Sequence, residues 1–306
     1  MTIRIATSQL FDRPTTQMGI LSKQADTLQT QISTGKQFTK ASENPVGWVQ
    51  VQGLNRADAD GTADASNVKM AQALLDQSDT VLGSIETQLQ QAKELATNAA
   101  TGTLSDTDRN AIAQQLDSIL SDVLALANTK DVRGQPLFGG ATGDVAYTQA
   151  ADGTISYAGN GEPAAIPIGD GTSIHASDSG DKVFGNVATA SGTTDIFAML
   201  SQLSAALKTG GSGAQDAANQ AIDQLGAGLD QIGAARASVG ARGSRLELEA
   251  NRLTSAATAR DETRTKVEAT DTTTAIADLQ KTLTILQATQ ASFTKLTSLS
   301  LFDYIN

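Results

Sequence analysis

The sequence predicts a mainly α-helical protein: an elongated helical rod, formed as a coiled coil by paired N- and C-terminal segments, with a small β-rich insertion at its centre. Apolar residues recur every three or four positions near both chain ends, which is the spacing of helices that pack against other helices. Between residues 133 and 194 this spacing is lost, and glycines separate short β-prone segments. Aromatic residues make up only 4% of the chain, which favours a thin helical bundle over a single thick core.

Composition excludes several classes of function. The 306-residue chain has a formal net charge of -11, which argues against non-specific binding to nucleic acids or anionic membranes, because both require clustered Lys and Arg. It has no cysteine and a single histidine, His175, which removes disulfides, thiolate metal sites and most histidine-based catalysis. We therefore expect no metal and no cofactor. No stretch approaches the roughly twenty apolar residues of a membrane span, and the polar N-terminal segment does not resemble a cleavable signal peptide.

The C-terminal helix carries a narrow apolar seam that begins at Ile276. Its steps of three and four residues are those of a coiled coil. Such a stripe needs a partner, because a chain end this apolar is unfavourable in water. The seam residues on this helix are Ile276, Leu279, Leu283, Leu286, Phe293, Leu296, Leu301 and Phe302.

A matching seam lies near the N-terminus. Pro14 stands where a first helical position is expected, and Gly35 ends the helix. We expect the two seams to pair with each other, with the insertion at the opposite end of the rod, although the same spacing also suits an ordinary bundle core. The N-terminal seam residues are Met18, Leu21, Ala25, Leu28 and Ile32, and with the C-terminal set they form the candidate assembly interface.

Long helices are predicted between the seams and the insertion. Pro45 interrupts the chain after the first helix, in a polar turn, and residues 46–100 follow as a second helix. A capping-box pattern at Ser105 to Asp108 starts a third helix. After the insertion, Thr194 and Asp195 are a helix start signal, and four glycine and serine residues from Gly210 break that helix.

One further long helix is expected to run toward Arg260. The threonine-rich stretch 261–275 is then predicted to be a joint before the terminal seam. The chain accordingly divides into a terminal coiled-coil assembly domain (1–45 plus 265–306), a long-helix bundle domain (46–132 plus 195–264) and a β-rich variable outer domain (133–194).

The insertion is predicted to contain short strands and to face solvent. The candidate strands are Val145–Thr148, Ile155–Tyr157, Ala165–Ile168, the residues around Ile174, and Val183–Val187. Its acidic residues, opposed by Lys182, are Asp144, Asp152, Glu162, Asp170, Asp178 and Asp181.

No catalytic pattern is present in the sequence. The glycine-rich loops lack the Lys-Ser/Thr ending of a P-loop and the strand-to-helix setting of a dinucleotide fingerprint. The scattered carboxylates suit solvated helix faces and turns better than a glycosidase pair. His175 is expected to be an ordinary loop residue and Trp48 a packing anchor. We therefore predict that the protein is not an enzyme.

Several motifs resemble the bacterial flagellin family. The segments Gln31–Lys36 and Ala41–Val46 resemble its N-terminal signature, and Arg236–Glu247 resembles a motif of its long C-terminal helix. The segments Gln290–Phe293 and Ser300–Ile305 are similar to the ending of the hook-associated members at the junction between hook and filament, more than to that of flagellins proper.

The resemblance has small departures and covers roughly residues 1–135 and 195–306. Glu43-Asn44 stands where the family usually has two acids, and Gly243 occupies a position that is usually less flexible. Leu137–Gly140, at the entry to the insertion, is also similar to the family, whereas the rest of the insertion matches nothing firmly.

The resemblance implies a structural subunit of the bacterial flagellum. Such a subunit is extracellular at the hook–filament junction and is exported without a cleavable signal peptide. The implied partners are the other hook-associated protein, flagellin, copies of the chain itself in a ring, and a cytoplasmic flagellar export chaperone. The terminal helices are expected to become ordered when neighbouring subunits bury their seams. Three alternatives remain open: a flagellin of the filament itself, an enzyme carried by the insertion, or an adhesin with the insertion as its binding head.

Overall fold

In the computed structural model of the protein, the backbone is described for residues 2–101, 104–141, 143–190 and 192–305. Side chains are described for residues 12–101, 104–141, 143–190, 192–211, 213–295 and 297. The helices of the described backbone are α1 (Thr2–Thr34), α2 (Pro45–Ala99), α3 (Asp106–Ala127), α4 (Gly180–Phe184), α5 (Ile196–Thr209), α6 (Ser212–Glu268) and α7 (Thr272–Ile305). The predicted fold class, mainly α with a small β-rich insertion, is confirmed.

The strands of the insertion form antiparallel hairpins. Strands β1 (Tyr147–Gln149) and β2 (Ile155–Tyr157) pair with Tyr147 opposite Tyr157. Strands β3 (Ile166–Gly169) and β4 (Thr172–Ile174) pair with a register irregularity between Pro167 and Gly169. The third pair is β5 (Val187–Thr189) with β6 (Gly192–Thr194). In the described part of the chain each sheet has two strands, so the hairpins depend on packing against helices for their stability.

The predicted helix boundaries near glycines and caps are confirmed. Gly35 follows the last residue of α1 with φ +69°, a left-handed conformation that glycine adopts without steric cost. Ser105 accepts a hydrogen bond from the Asp108 N–H, and the Asp108 carboxylate reaches back to the Ser105 N–H, which completes the capping box of α3. The Asp195 side chain caps α5 by accepting from the Ala198 N–H.

The prediction that the first helix begins at Pro14 is wrong, because α1 continues through this residue from Thr2. An interior proline removes one helical hydrogen bond and costs about 3 kcal/mol. The turns on both sides remain helical, and α1 packs along α7. Helix α1 therefore tolerates this proline, although local preference would have ended the helix there.

The predicted joint at 261–275 is much shorter than expected. Helix α6 continues to Glu268, and only residues 269–271 separate it from α7. Within α6 the Thr263 hydroxyl donates to the Ala259 carbonyl at 2.8 Å, so the helix satisfies this polar side chain. The break is set by Asp271, whose carboxylate accepts from the Thr273 and Thr274 N–H groups as a cap for α7.

The prediction of a strand at Val183–Val187 is also wrong in its first half. Val183 and Phe184 belong to α4, and β5 begins only at Val187. Asn186 lies between them with φ +53°, a conformation that a continuous strand does not contain. The helical turn places both Val183 and Phe184 in the core, whereas alternation in a strand would have put them on opposite faces.

The chain folds as two compact units, residues 1–60 with 256–306 (unit 1) and residues 61–255 (unit 2). In unit 2 a single buried apolar cluster joins α2, α3, α5 and α6 with the insertion. The aromatic residues of this cluster come from the insertion and from the helices. Within the insertion, the Phe138 and Phe184 rings lie 5.0 Å apart. The Tyr147 ring of the insertion is 4.6 Å from the ring of Phe197 in α5. The insertion therefore shares the core of the helices.

Helix α6 also holds the insertion through polar contacts. The Gln231 amide donates to the Gly185 carbonyl at 2.7 Å. Arg242 donates to the His175 carbonyl at 2.8 Å and pairs with Asp178, the one buried member of the six acids predicted to face solvent. Arg242 lies within the motif Arg236–Glu247, so part of that motif serves to position the insertion.

An ordered turn around Asp131 leads from α3 into the insertion. The buried Asp131 carboxylate accepts from the N–H groups of Arg133 and Gln135 and from the Arg133 guanidinium. Burial alone would raise the pKa of Asp131, but the hydrogen bonds from Arg133 and Gln135 outweigh it and lower this pKa from its usual value of 3.8. The ionised carboxylate thus organises the turn.

We expect Asp131→Asn to lower the free energy of unfolding by about 1–3 kcal/mol at pH 7, because two backbone N–H groups and an arginine lose a charged acceptor. A carboxyl whose pKa is lowered by folding stabilises the protein above its unfolded pKa, and this contribution is lost as the pH falls through the folded pKa. The difference between variant and wild type should therefore shrink below about pH 4. Urea unfolding at pH 7 and pH 3 measures this difference in the free energy of unfolding, and Asp144→Asn, at an exposed position, is the control. An equal difference at both pH values would contradict the role of the ionised Asp131 carboxylate.

Candidate assembly surface

The two terminal helices pack on each other in unit 1, as the matching seams predicted. On α1, Leu21 and Ala25 are buried, and the other three seam residues, Met18, Leu28 and Ile32, are half-buried. The whole predicted α1 stripe therefore lies on the inner side of the helix. This arrangement is the intramolecular pairing expected from the spacing, and the role of these residues in assembly stays a prediction.

The α7 seam differs in detail from the predicted one. Its buried and half-buried residues are Ala275, Leu279, Thr282, Leu286, Thr289, Phe293 and Thr297. Alanine and threonine thus alternate with larger apolar residues along the face that packs. Sequence reasoning missed the threonines because a search for apolar residues passes over them, although their spacing from Leu279 and Leu286 is the required three and four.

Two predicted seam residues of α7 lie beside the packed face and are exposed. Ile276 is 44% exposed and Leu283 is 41% exposed, and their seven-residue spacing places them on one side of the helix. Ile285 on the opposite flank of α7 and Ile20 on α1 are also exposed. The pairing of α1 with α7 therefore leaves an apolar flank uncovered.

Three further members of the predicted interface, Leu296, Leu301 and Phe302, lie outside the residues whose side chains are described. Their backbone belongs to α7. Their place in the interface stays a prediction.

A short backbone junction joins the segments that follow α1 and α6. The Gln37 N–H donates to the Glu268 carbonyl at 2.7 Å, and the Thr270 N–H donates to the Gly35 carbonyl at 2.9 Å. Lys36 and Glu268 form an ion pair with an N–O distance of 3.0 Å. These contacts set the register between α1 and α7 at one end of the seam.

The polar motif before α2 is a structured helix start. Glu43 accepts from the backbone N–H groups of Thr39 and Lys40, and these hydrogen bonds, that from Thr39 first, lower the pKa of its carboxyl. The Asn44 side chain accepts from the Gly47 N–H at 2.9 Å, and Pro45 is the first residue of α2. The motif is therefore explained by turn and cap geometry, in agreement with the polar turn predicted around Pro45.

Helices α2 and α6 are joined by arginine–carboxylate pairs that sequence reasoning missed. In unit 1, Asp58 pairs with Arg260 at 2.6 Å and also with Arg264. In unit 2, Arg236 pairs with Asp79 at 2.9 Å and with Glu86 at 2.6 Å, and these hydrogen bonds raise the pKa of its guanidinium. The partners of these acids are about 150 to 200 residues away in the chain, so the pairs cannot be inferred from spacing within one helix.

Both the N-terminal and the C-terminal parts of the chain match models of a known protein family. Residues 8–142 match the family model for the bacterial flagellin N-terminal helical region, and residues 220–305 match the model for the C-terminal helical region. Together these matches span more than half of the chain. The chain belongs to the bacterial flagellin family. The segments that match contain all of α2, α3 and α7 and most of α1 and α6.

Among its curated relatives, two carry the same name. This flagellin-family chain is 29% identical over 217 residues to flagellar hook-associated protein 3 of Escherichia coli K12, which is 68% of this chain and 67% of that protein. It is 28% identical over 236 residues to the protein of the same name from Salmonella typhimurium LT2, which is 72% of this chain and 73% of that protein. A flagellin of Clostridium tyrobutyricum matches at 23% identity over 145 residues.

Solved structures support the same fold. A hook-associated protein of Vibrio parahaemolyticus superposes with a TM-score of 0.67 at 19% identity, over 74% of this chain and 100% of that one. Flagellar hook-associated protein-3 of Legionella pneumophila superposes with a TM-score of 0.65 at 16% identity, over 71% and 98%. Among the described helices, none is long and apolar enough to cross a membrane.

Proposed function

We propose that the protein is a structural subunit of the bacterial flagellum that joins the hook to the flagellin filament at the hook–filament junction. The observation that carries this proposal is the match of both helical ends to the flagellin family together with relatives named flagellar hook-associated protein 3. The paired α1 and α7 supply the surface for this role.

Assembly uses the apolar flank that the α1–α7 pair leaves exposed. Ile276 and Leu283 project from the side of the seam, and burying them against a neighbouring subunit would contribute about 25 cal/mol for each Å² of apolar surface removed from water. The seam residues that already pack within the chain hold both helices in the conformation that presents this flank. Phe293, half-buried on the packed face of α7, belongs to the part of the seam that holds the two helices together. We include Leu296, Leu301 and Phe302 in the proposed interface on the family resemblance alone.

The partners follow from this position in the flagellum. The chain contacts the other hook-associated protein on one side, flagellin on the other and copies of itself within a ring. A cytoplasmic flagellar export chaperone binds it before export. Its location is extracellular, and its role is structural and not enzymatic.

Electron microscopy with gold-labelled antibodies against the chain tests the proposal in cells that produce it. The expected result is a label confined to the boundary between hook and filament. A label distributed along the whole filament would instead identify a flagellin, and a label that is absent from flagella would reject a flagellar role.

A further inference from the structure

The loop from Thr129 to Leu137 forms a hydrogen-bonded knob (residues 129–137) at the entry to the insertion. The Leu137 N–H donates to the Thr129 carbonyl at 2.9 Å, and the Asp131 N–H donates to the Gln135 carbonyl at 2.7 Å. The buried Asp131 carboxylate completes the turn. The knob is therefore ordered by its own hydrogen bonds and pays little conformational entropy when it binds a partner.

The tip of the knob is apolar and its sides are basic. Val132 is 86% exposed, the highest value among the exposed large apolar residues of the described chain. Lys130 and Arg133 flank it and are exposed. The Arg133 guanidinium pairs with the buried Asp131 at 2.7 Å, so Lys130 supplies the net positive charge of the knob. In a chain with a formal net charge of -11, this places an exposed apolar side chain between two basic ones.

A recess with the opposite character lies elsewhere in unit 2. It has a volume of about 570 Å³ and is bounded by α3, α5 and the end of the β1–β2 hairpin. Leu120, Ile155 and Phe197 contribute apolar surface to it, and Asp152 and Asp195 contribute carboxylates. A third carboxylate, Asp117, is already paired with Lys208 at 2.6 Å. The recess thus combines an apolar lining with a net negative charge.

We propose that the knob docks into this recess on a second copy of the chain. The apolar tip matches the apolar lining. The positive charge of Lys130 matches the Asp152 and Asp195 carboxylates, which accept backbone N–H groups but form no salt bridge within the described residues. Such complementarity gives interfaces their specificity. None of the knob residues lines the recess of its own chain, so the contact is between copies. Because knob and recess are different surfaces, the contact is heterologous and can close a ring. This inference rests on the proposed function, in which copies of the chain form a ring.

Cysteine crosslinking tests the contact, and the natural chain has no cysteine to interfere. Two single variants, Val132→Cys at the knob and Gln202→Cys at the recess, carry different tags and are co-expressed in cells that lack the natural protein. Both positions are exposed, so neither change disturbs the core. Isolated flagella are oxidised and analysed by electrophoresis without reductant. The matched control replaces Val132→Cys with Leu248→Cys, which is another highly exposed apolar position.

The expected result is a mixed dimer between the knob and recess variants, at least about ten-fold more abundant than with the control, because a disulfide requires Cα atoms within roughly 7 Å. Adding Lys130→Glu to the knob variant should reduce the yield several-fold. Chains that are present in flagella but give no mixed dimer above the control would overturn the docking, as would a dominant dimer between two knob cysteines. Chains absent from flagella would instead overturn the proposed function and the docking with it.

Discussion

Replacing Leu283 with aspartate is expected to abolish incorporation of the chain into flagella while leaving the folded chain intact. Leu283 is 41% exposed beside the packed face of α7, so the charge does not enter the α1–α7 seam. A neighbouring subunit, however, would have to bury that charge without a partner, which is strongly unfavourable. The amount of chain in isolated flagella and the helical circular dichroism of the purified protein measure the two effects separately.

Two matched variants sharpen this experiment. Leu286→Asp places the same charge inside the α1–α7 seam and should destabilise the paired helices by at least about 2 kcal/mol, the lower end for losing a packed leucine. Gln287→Asp places it at an exposed polar position one residue further and should have no effect on either measurement. Normal flagella from the Leu283→Asp variant would show that the exposed flank of α7 takes no part in assembly.

Truncating Phe184 is expected to have the largest effect on stability. Its side chain is fully buried in unit 2, with its ring 5.0 Å from that of Phe138 and 6.2 Å from that of Phe197. Phe184→Ala should lower the free energy of unfolding by about 3–5 kcal/mol, because both burial and ring contacts are lost and a cavity remains. Urea denaturation followed by circular dichroism at 222 nm measures the helices directly.

The same variant tests whether the insertion and the helices of unit 2 share one core. If they share one core, the helices of the variant should unfold with a midpoint at a lower urea concentration, although Phe184 lies in the insertion. Val145→Ala, at a position of the insertion that is 39% exposed, serves as control and should change the stability by less than about 1 kcal/mol. A helical transition that is unchanged in Phe184→Ala would show that the insertion folds independently.

Local signals in the sequence were sufficient for most helix boundaries. Gly35, the Ser105–Asp108 capping box and Asp195 each act through hydrogen bonds or backbone conformation within a few residues, so the pattern alone specifies them. The spacing of Met18 to Ile32 likewise predicted the buried side of α1. The family motifs correctly indicated membership of the flagellin family.

Local signals failed at several positions. Pro14 was expected to start a helix and the threonines after Arg260 were expected to end one, yet α1 and α6 continue through both. In α7 the apolar spacing alone did not separate the residues that face α1, such as Leu286, from those on the exposed flank, such as Leu283. Choosing between two stripes on one helix requires the position of the partner helix.

The sequence by itself determined the helical class, the position of the insertion, the ends of most helices and the family. The helical class and the helix ends depend on side chains that act within one or two helical turns. The family is indicated by motifs that follow one another in a fixed order along the chain. The tertiary structure alone showed that the insertion shares the core of unit 2, that Arg236 and Arg242 anchor distant segments, and that Ile276 and Leu283 remain exposed. The physical reason is that burial and ion pairing depend on contacts between residues far apart in the chain, which no local pattern contains.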